Sequence, residues 1–324
     1  MSEPTAIAAD GLPPDDPLRH ELHNEVHARP PARIRLPAVV VFVAVLNEGV
    51  GRTAEWEHLR RLPGQDGLAL DALAGNFARL SLGNSTLKWE RHTEFTRYSI
   101  VQPLPDDTSL ADTAALLAAI DEVPPAWLQQ IPGRTVAAIR LAMIHADLPD
   151  ASPQAQAALM EPAARWFEGR TVVASQLGGG HSWAVTDFHL RPSGFEHMLV
   201  IAPPGTTATR AGRISQRLLE LETYRLMALR GLPVAKALGP TLAQAEQQLS
   251  TITAQLEGKA TSEQALLDAL VALAASVERA TAENVYRFAA TRAYDALVSQ
   301  RIHELREKPI PGTQTIGEFM QRRL

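Results

Sequence analysis

Two apolar patterns with heptad spacing lie in the second half of the sequence, and they limit the possible folds more than any other feature. Apolar side chains recur three and four residues apart over 242–256, and again over 266–280. Such spacing forms a seam along one side of a helix, where it packs against a neighbouring helix. Gly258 separates the two patterns by a short turn. The sequence therefore predicts an antiparallel helical hairpin whose second helix runs to about Lys308.

The helices before and within this hairpin have recognisable ends. A helix is expected over 207–230, closed by Gly231 and Pro233, because glycine and proline commonly end helices. Thr241-x-x-Gln244 has the form of a capping box, which predicts that the first hairpin helix begins there. A long helix without a breaker is typical of a coiled coil, a stalk or an oligomer interface, so we expect a homo-oligomer. A kinked pair of ordinary helices is the alternative.

The first half of the sequence mixes strands and helices. Residues 33–46 and 135–145 are apolar and β-branched, which is typical of strands buried on both faces of a sheet. Three shorter strand-like runs follow one another over 76–101, and a hairpin with strands 181–190 and 195–202 comes later. The pattern predicts an α+β fold, with a mixed sheet and flanking helices followed by an all-helical region.

We expect three regions along the chain: a disordered lead-in over 1–16, an α/β domain over 17–205 and a stalk-like helical domain over 206–324. The second boundary lies near Gly205 because every later segment has the pattern of a helix. Thr315-x-x-Glu318 caps a last short helix. A helix of about two turns is marginal alone, so we expect further protein to follow it.

Charge and cysteine content exclude several classes of function. The formal net charge is −5 with acids and bases interspersed, whereas a nucleic-acid-binding domain has a basic face or stripe. The chain has no cysteine, which excludes disulfides and thiolate metal sites. The most apolar run, 38–46, is too short for a membrane-spanning helix, which needs about 20 residues. We therefore expect a soluble chain that does not bind nucleic acid.

A first helix is expected from Pro17 to about Ala28, and its histidines share one face. His23 and His27 are four residues apart, so both can bind one metal ion. The segment is not the H-E-x-x-H motif of zinc proteases, because Glu25 lies on the far side of the helix and cannot act as the base. The helix predicts either a divalent-cation site or a polar face packed against the second domain or a partner.

A second candidate metal site lies in the later hairpin. Asp187 and His189 share one strand face because they are two residues apart. We expect Leu190 to pair with Phe195 across the turn. In that register His189 and His197 point to opposite faces, whereas a shift of one residue would bring them together.

The segment Lys88–Phe95 is rich in residue types that bind ligands. On a strand, Lys88, Glu90 and His92 lie on one side. Arg91 lies on the other side. One interpretation is a structural network of side chains in the sheet, and the other is a ligand-contact surface formed by all four of these residues.

The run Gly178–Gly180 before His181 superficially suggests a phosphate loop. It lacks the lysine and the Ser/Thr of that motif, and a strand rather than a helix is expected after it. We therefore expect a flexible turn between strands.

Three segments carry a family resemblance. Asn24–Pro30 reads NEVHARP, Lys88–Tyr98 reads KWERHTEFTRY, and Ile310–Leu324 reads IPGTQTIGEFMQRRL. Together they resemble a bacterial family of uncharacterised membrane-anchored proteins, domain of unknown function 3422, over essentially the whole chain. The resemblance implies a further C-terminal stretch with hydrophobic membrane segments, which would hold this chain at the cytoplasmic face of the inner membrane. It implies no catalytic or binding residues.

Two functions are compatible with these features. The first is a non-enzymatic cytoplasmic domain that oligomerises through its long helices and senses an ion or gates transport. Its order of domains is similar, more loosely, to the soluble part of CorA-type magnesium channels, although architecture does not fix function. The alternative is a metal-assisted hydrolase that uses histidines of the first helix and of the 181–202 hairpin.

Overall fold

The computed structural model describes residues 15–19, 32–111, 123–149, 152–258 and 262–322. Its strands are β1 (Ala38–Leu46), β2 (Phe77–Leu82), β3 (Ser85–Arg91), β4 (Phe95–Pro103), β5 (Arg134–His145), β6 (Val173–Leu177), β7 (Ser182–Thr186), β8 (Glu196–Ala202) and β9 (Lys308–Pro309). Its α-helices are α1 (Arg52–Arg60), α2 (Pro125–Gln129), α3 (Pro153–Arg165), α4 (Ala208–Leu229), α5 (Gly231–Gly258), α6 (Glu263–Leu305) and α7 (Ile316–Gln321), and a 3-10 helix covers Leu70–Leu73.

The strands of the described chain form one sheet in the order β2-β3-β4-β1-β5-β8-β7-β6-β9. Neighbouring strands are antiparallel except β5 and β8, which are parallel. The sheet is therefore mixed, and the long helices follow its first eight strands in sequence. This confirms the α+β fold expected from the sequence.

The strand β1 lies inside the sheet and is buried on both faces. Val40 and Phe42 point into the core beneath the long helices. Val41 and Val43 point into a second core on the opposite face. Because alternate residues of a strand point to opposite faces, only an uninterrupted apolar run suits this position. The prediction of a buried strand here is confirmed.

The long helices cover one face of the sheet. α4 packs on β1 and β5, and α6 packs on α4. Phe42 of β1, Met227 of α4, Val298 of α6 and Met320 of α7 belong to one apolar core. This core thus contains residues from both sides of Gly205, the expected boundary between domains. The boundary itself stays a prediction.

α4 and α5 follow each other with only Arg230 between them. The expected end of the first helix near residue 230 is confirmed, since α4 ends at Leu229. Gly231 and Pro233 do not stop the helical path, however, and the expected helix start at Thr241 is wrong, because α5 begins at Gly231 and runs through all three positions. Gly231 instead permits a close approach of helices, since a Cβ there would lie 2.5 Å from Thr291 Oγ1 of α6. The two segments form one bent helix.

The helical hairpin expected from the heptad spacing is present. α5 and α6 pack against each other around a small core of Ile252, Leu266 and Leu273. Ser262 caps the start of α6, where its side chain accepts a hydrogen bond from the backbone of Ala265. α6 ends at Leu305, close to the predicted end.

After α6 the chain returns to the sheet. β9 pairs with β6, so the expectation that every segment after Gly205 is helical is wrong at this point. α7 begins with the predicted capping box of Thr315 and Glu318. Ile316 and Met320 of α7 are buried in the core beneath the long helices. The packing partners that so short a helix needs are therefore supplied by this chain.

Several expectations fall on parts of the chain that lie outside the described residues. Of the expected lead-in and first helix, over 1–28, only 15–19 is described. Among the described helices, none combines the length and the apolar character that crossing a membrane requires.

Candidate functional site

Lys88 and Glu90 lie in a buried chain of ion pairs between the sheet and the helices. Lys88 Nζ is 3.0 Å from Glu90 Oε1, and Arg97 Nε is 2.5 Å from Glu90 Oε2. Arg97 Nη1 lies 3.0 Å from Glu220 Oε1 of α4. Arg301 Nε of α6 reaches Glu220 Oε2 at 2.7 Å. We call these five residues the buried ion network, and it joins β3, β4, α4 and α6.

The carboxyl groups of the buried ion network are held ionised. Burial raises the pKa of Glu90, but the charges of Arg97 and Lys88 outweigh it and lower that pKa to about 2. Burial likewise opposes ionisation of Glu220, and the charge of Arg97 again lowers the pKa. The cavity beside Glu90 has a volume of about 30 Å³, which suits one or two water molecules. This geometry favours the interpretation of Lys88 and Glu90 as a structural network.

Arg91 and His92 lie apart from the buried ion network. Arg91 Nη1 is 2.7 Å from Glu55 Oε1 of α1, on the opposite face of the sheet. His92 lies between β3 and β4, where its ring stacks on Phe95 with the centroids 4.6 Å apart. The four candidates for a ligand-contact surface thus occupy three different surroundings.

Asp187 and His189 lie in the loop between β7 and β8. Asp187 Oδ2 is 2.9 Å from Arg191 Nη2, and Asp187 Oδ1 accepts a hydrogen bond from the backbone N–H of His189 at 3.2 Å. The His189 side chain is exposed. β7 ends at Thr186, which pairs with Met198. The expected register of this hairpin is therefore wrong by one residue. The positions from Asp187 to Leu190, which the sequence places on a strand, belong to the loop.

His23 and His27 lie outside the described residues, so the metal site expected there stays a prediction. In the described ranges, no group of three or more histidine, aspartate or glutamate side chains is arranged to hold a metal ion.

Glu196 and Glu222 form a buried carboxyl pair that the sequence analysis missed. Glu222 of α4 is fully buried, and Glu196 at the start of β8 is nearly so. Burial, together with the charge of Glu222, raises the pKa of Glu196 to about 8. Arg225 Nε donates to Glu222 at 2.9 Å. At neutral pH Glu196 therefore keeps its proton and donates it to a hydrogen bond with Glu222.

The sequence of α4 contains a signal for these buried acids. Apolar side chains follow each other around the helix at Leu218, Leu219, Leu221 and Tyr224. A helix that is apolar all round is buried, and a carboxylate on such a helix needs a partner. This reasoning points to buried, paired glutamates at 220 and 222, but it does not identify their partners.

A second feature missed from the sequence is an open pocket of about 630 Å³. It lies between the start of α4, the turn after β6 and the end of α6. We call it the arginine pocket, and its basic lining residues are His181, Arg210, Arg213, Arg217, His303 and Arg306. The turn over Gly178–Gly180 joins β6 to β7, as predicted.

The α5–α6 hairpin, which we call the arm, buries only half of each heptad seam. The inward half consists of Ala245, Ile252, Leu266 and Leu273. The other half is exposed, and it consists of Leu242, Leu249 and Leu256 on α5 and of Leu270 and Val277 on α6. We call these five exposed residues the outer flank.

The outer flank contains residues of both helices at matching heights. Leu242 and Val277 line one groove of about 360 Å³. Leu249 follows Leu242 by seven residues, and Leu270 precedes Val277 by seven. Because the helices are antiparallel, Leu249 and Leu270 lie together one heptad further along the arm.

Comparison with known proteins identifies a family. A family model described as "Protein of unknown function (DUF3422)" matches residues 14–324. This match confirms the family resemblance carried by the three sequence segments. No curated protein and no solved structure matches the chain.

Proposed function

The chain belongs to the DUF3422 family, and we propose that it is a non-catalytic assembly domain that pairs with a second copy of itself through the outer flank of the arm. The observation that carries this proposal is the exposure of half of each heptad seam. A second arm packed flank to flank would complete a four-helix bundle. Closed symmetry is the rule for soluble homo-oligomers, and two identical flanks meet its requirement for a self-complementary surface.

The outer flank exposes leucine side chains in a regular row along α5. Leu256 is 62% exposed, Leu249 50% and Leu242 47%. Single exposed leucines are ordinary, but a row repeated every seven residues on one side of a helix is the pattern of a helix interface. The apolar row therefore supports a helical partner with the same repeat.

The charge of α5 favours a second copy over a charged partner. Lys236, Glu246 and Glu257 are the charged residues among its 28. Solvent-facing helix surfaces normally carry many charged residues. Two such helices meet without repulsion between like charges, whereas an anionic membrane surface would require basic side chains.

The outer flank is large enough for a concentration-dependent dimer. From Leu242 to Leu256 it spans about 21 Å at a rise of about 1.5 Å per residue. A face two helices wide measures about 20 Å across, which gives about 400 Å² for each copy. This area is about half of that in a standard interface, so the proposed dimer belongs to the weaker class of specific contacts.

Molar mass measured by light scattering over a concentration series tests this proposal. We expect the unmodified chain to form a dimer, and the double variant Leu249→Glu, Leu270→Glu to dissociate at least about tenfold more easily because it buries unpaired carboxylates. Leu190→Glu is the control, since Leu190 is also an exposed leucine but lies in the loop before β8. A monomer at every concentration would overturn the proposal.

Cross-linking gives an independent test because the chain has no cysteine. A cysteine introduced at Leu249 or Leu270 is then the single reactive thiol in each copy. We expect a bismaleimide reagent to join two copies through these positions, and not through a cysteine at Leu190. If Leu249→Glu instead abolishes binding of the chain to phosphatidylglycerol vesicles, the outer flank contacts lipid.

We also propose that the domain belongs to a membrane-anchored protein at the cytoplasmic face of the inner membrane. The resemblance carried by Asn24–Pro30, Lys88–Tyr98 and Ile310–Leu324 supports this part of the proposal. Cell fractionation of the full-length protein tests it, with recovery in the inner-membrane fraction as the expected result. Recovery in the soluble fraction would contradict it.

Ion sensing as in CorA-type channels and metal-assisted hydrolysis stay predictions from the sequence. No contact in the described part of the chain favours either of them. The metal content of the purified protein, compared with that of His23→Ala and His189→Ala, tests both.

A further inference from the structure

We propose that the arginine pocket binds the phosphate groups of an anionic ligand, either a small organic phosphate or the headgroup of a phospholipid. The site is separate from the outer flank of the arm, so this inference does not depend on self-association. Its basis is the placement of four arginines around one pocket in a chain whose net charge is negative.

Three of these arginines come from one side of α4. Arg210, Arg213 and Arg217 are three and seven residues apart, a spacing that aligns side chains along a helix. Arg306 closes the pocket from the other side, directly after α6, where it adopts a left-handed backbone conformation with φ of 49°. Guanidinium groups from two elements therefore converge on the same space.

Within the described residues, most of this positive charge has no carboxylate partner. Glu304 is the one carboxylate among the described lining residues, and it pairs with Arg217 at 3.3 Å and with Arg301 at 3.0 Å. Across the described ranges, no carboxylate lies within ion-pair distance of Arg210, Arg213 or Arg306. A pocket whose lining holds three guanidinium groups without a carboxylate partner among the described residues attracts an anion.

The glycine turn forms hydrogen bonds to backbone carbonyl groups whose partial negative charge would otherwise repel an anion. The end of a helix leaves backbone carbonyls without partners. At the end of α6, the N–H of Gly178 donates to the carbonyl of Leu305 at 2.8 Å, and the N–H of Gly179 donates to that of Arg306 at 3.0 Å. These bonds satisfy the carbonyls beside the pocket.

Two of the arginines lie directly against the glycine turn. A Cβ at Gly178 would lie 3.4 Å from Arg210 Nη2, and one at Gly179 would lie 3.6 Å from Arg306 Nη2. Both glycines have positive φ, so other residues would be strained there. The turn thus holds the wall of the pocket against two of its arginines.

Phosphate is an anion that suits this lining. A guanidinium group forms paired hydrogen bonds to phosphate oxygens, and one phosphate can accept from several arginines. The volume of about 630 Å³ lies within the range of small-molecule sites, so there is space for more than one phosphate group or for an attached organic part. His181 and His303 provide further donors at the rim.

Calorimetric titration with inorganic pyrophosphate at low ionic strength tests the proposal. We expect saturable binding that is weakened at least about tenfold in the double variant Arg213→Gln, Arg306→Gln, because each change removes a charge-assisted bidentate donor. Arg279→Gln is the matched control, since Arg279 is an exposed arginine on the arm. Sodium chloride at equal ionic strength replaces pyrophosphate in the blank.

Sedimentation with vesicles distinguishes the two sources of phosphate. Phosphatidylglycerol vesicles bind the chain, and phosphatidylcholine vesicles do not, if the ligand is an anionic lipid headgroup. Binding of pyrophosphate without binding of vesicles assigns a soluble organic phosphate. In either case the binding must be lost in Arg213→Gln, Arg306→Gln and kept in Arg279→Gln.

Two results would overturn the proposal. One is the absence of binding to both pyrophosphate and phosphatidylglycerol vesicles by the folded, unmodified chain. The other is equal binding by the double variant and the control, which would show that the contact is only general attraction between charges. The His181 ring gives a local readout, because burial and the charge of Arg210 lower its pKa, and a bound anion would raise that pKa again.

Discussion

Arg97 and Glu220 are 123 residues apart in sequence, yet their side chains form a buried ion pair of 3.0 Å. Arg97 lies on β4 and Glu220 on α4, so the pair joins the sheet to the helical half of the chain. Arg301 extends the connection to α6. The long helices are thus fixed to the sheet at a defined position by charge as well as by apolar packing.

Removing one partner of this pair is expected to destabilise the fold strongly. Arg97→Met leaves Glu90 and Glu220 buried without their shared guanidinium group, and breaking a buried ion pair in this way costs about 3–5 kcal/mol. Urea unfolding followed by circular dichroism measures the change in the free energy of unfolding. The control is Arg134→Met, because Arg134 and Glu48 form an exposed pair at 3.7 Å, where we expect a loss below about 1 kcal/mol. Equal losses in the free energy of unfolding for the two variants would contradict the prediction.

The carboxyl pair of Glu196 and Glu222 is expected to make stability depend on pH. In the folded chain the pKa of Glu196 is about 8, whereas an unperturbed glutamate has a value of 4.5. Because the folded state holds the proton more tightly, this contribution to stability is complete below about pH 4.5 and is lost as the pH rises through about 8.

Unfolding free energies measured between pH 5 and 9 test this dependence. We expect them to fall with rising pH in the unmodified chain, and to fall less in Glu196→Gln, which keeps a hydrogen-bond donor but cannot ionise. Glu161→Gln is the control, since Glu161 is exposed on α3. A slope that is the same in all three proteins would contradict the pKa shift.

Two glycines of α5 are expected to respond differently to replacement by alanine. Helix propensity favours alanine over glycine by up to about 1 kcal/mol. At Gly239 no atom beyond its chain neighbours and the backbone of its own helix lies within 4 Å of an added Cβ, but Pro240 follows it and its ring disfavours a Cβ on the preceding helical residue, so Gly239→Ala is expected to change stability little. At Gly231 the added atom would lie 2.5 Å from Thr291 Oγ1, so Gly231→Ala is expected to cost about 1–3 kcal/mol by overpacking. Thermal unfolding measures both changes, and stabilisation by Gly231→Ala would disprove the close contact.

The central strands and the arm could be predicted from the sequence because their signals are local. The apolar run that forms β1 and the heptad spacing of α5 and α6 each determine which side chains must be buried. The spacing does not tell which half of a seam faces the neighbouring helix. For this reason the exposure of Leu249 and the burial of Ile252 emerged only from the fold.

The arginine pocket and the buried ion network could not be predicted because their residues are distant in sequence. Arg213 and Arg306 meet only because α6 packs along α4. The register of the β7–β8 hairpin is not predictable for a similar reason. Its loop is held by the ion pair of Asp187 and Arg191, and no local pattern shows that β7 ends at Thr186. The start of α5 is another position that the sequence does not predict, because Gly231 looks like a helix stop but is required by close packing against Thr291 of α6.

Phe42 and Met320 share one core although most of the chain separates them. During synthesis β1 leaves the ribosome early, whereas α7 leaves it hundreds of residues later. The part of this core that α7 covers therefore stays open, and the edge of β6 stays unpaired, until the segment containing β9 and α7 has emerged. An apolar surface left open for that long is prone to aggregation, so the newborn chain is expected to need a chaperone through most of its translation.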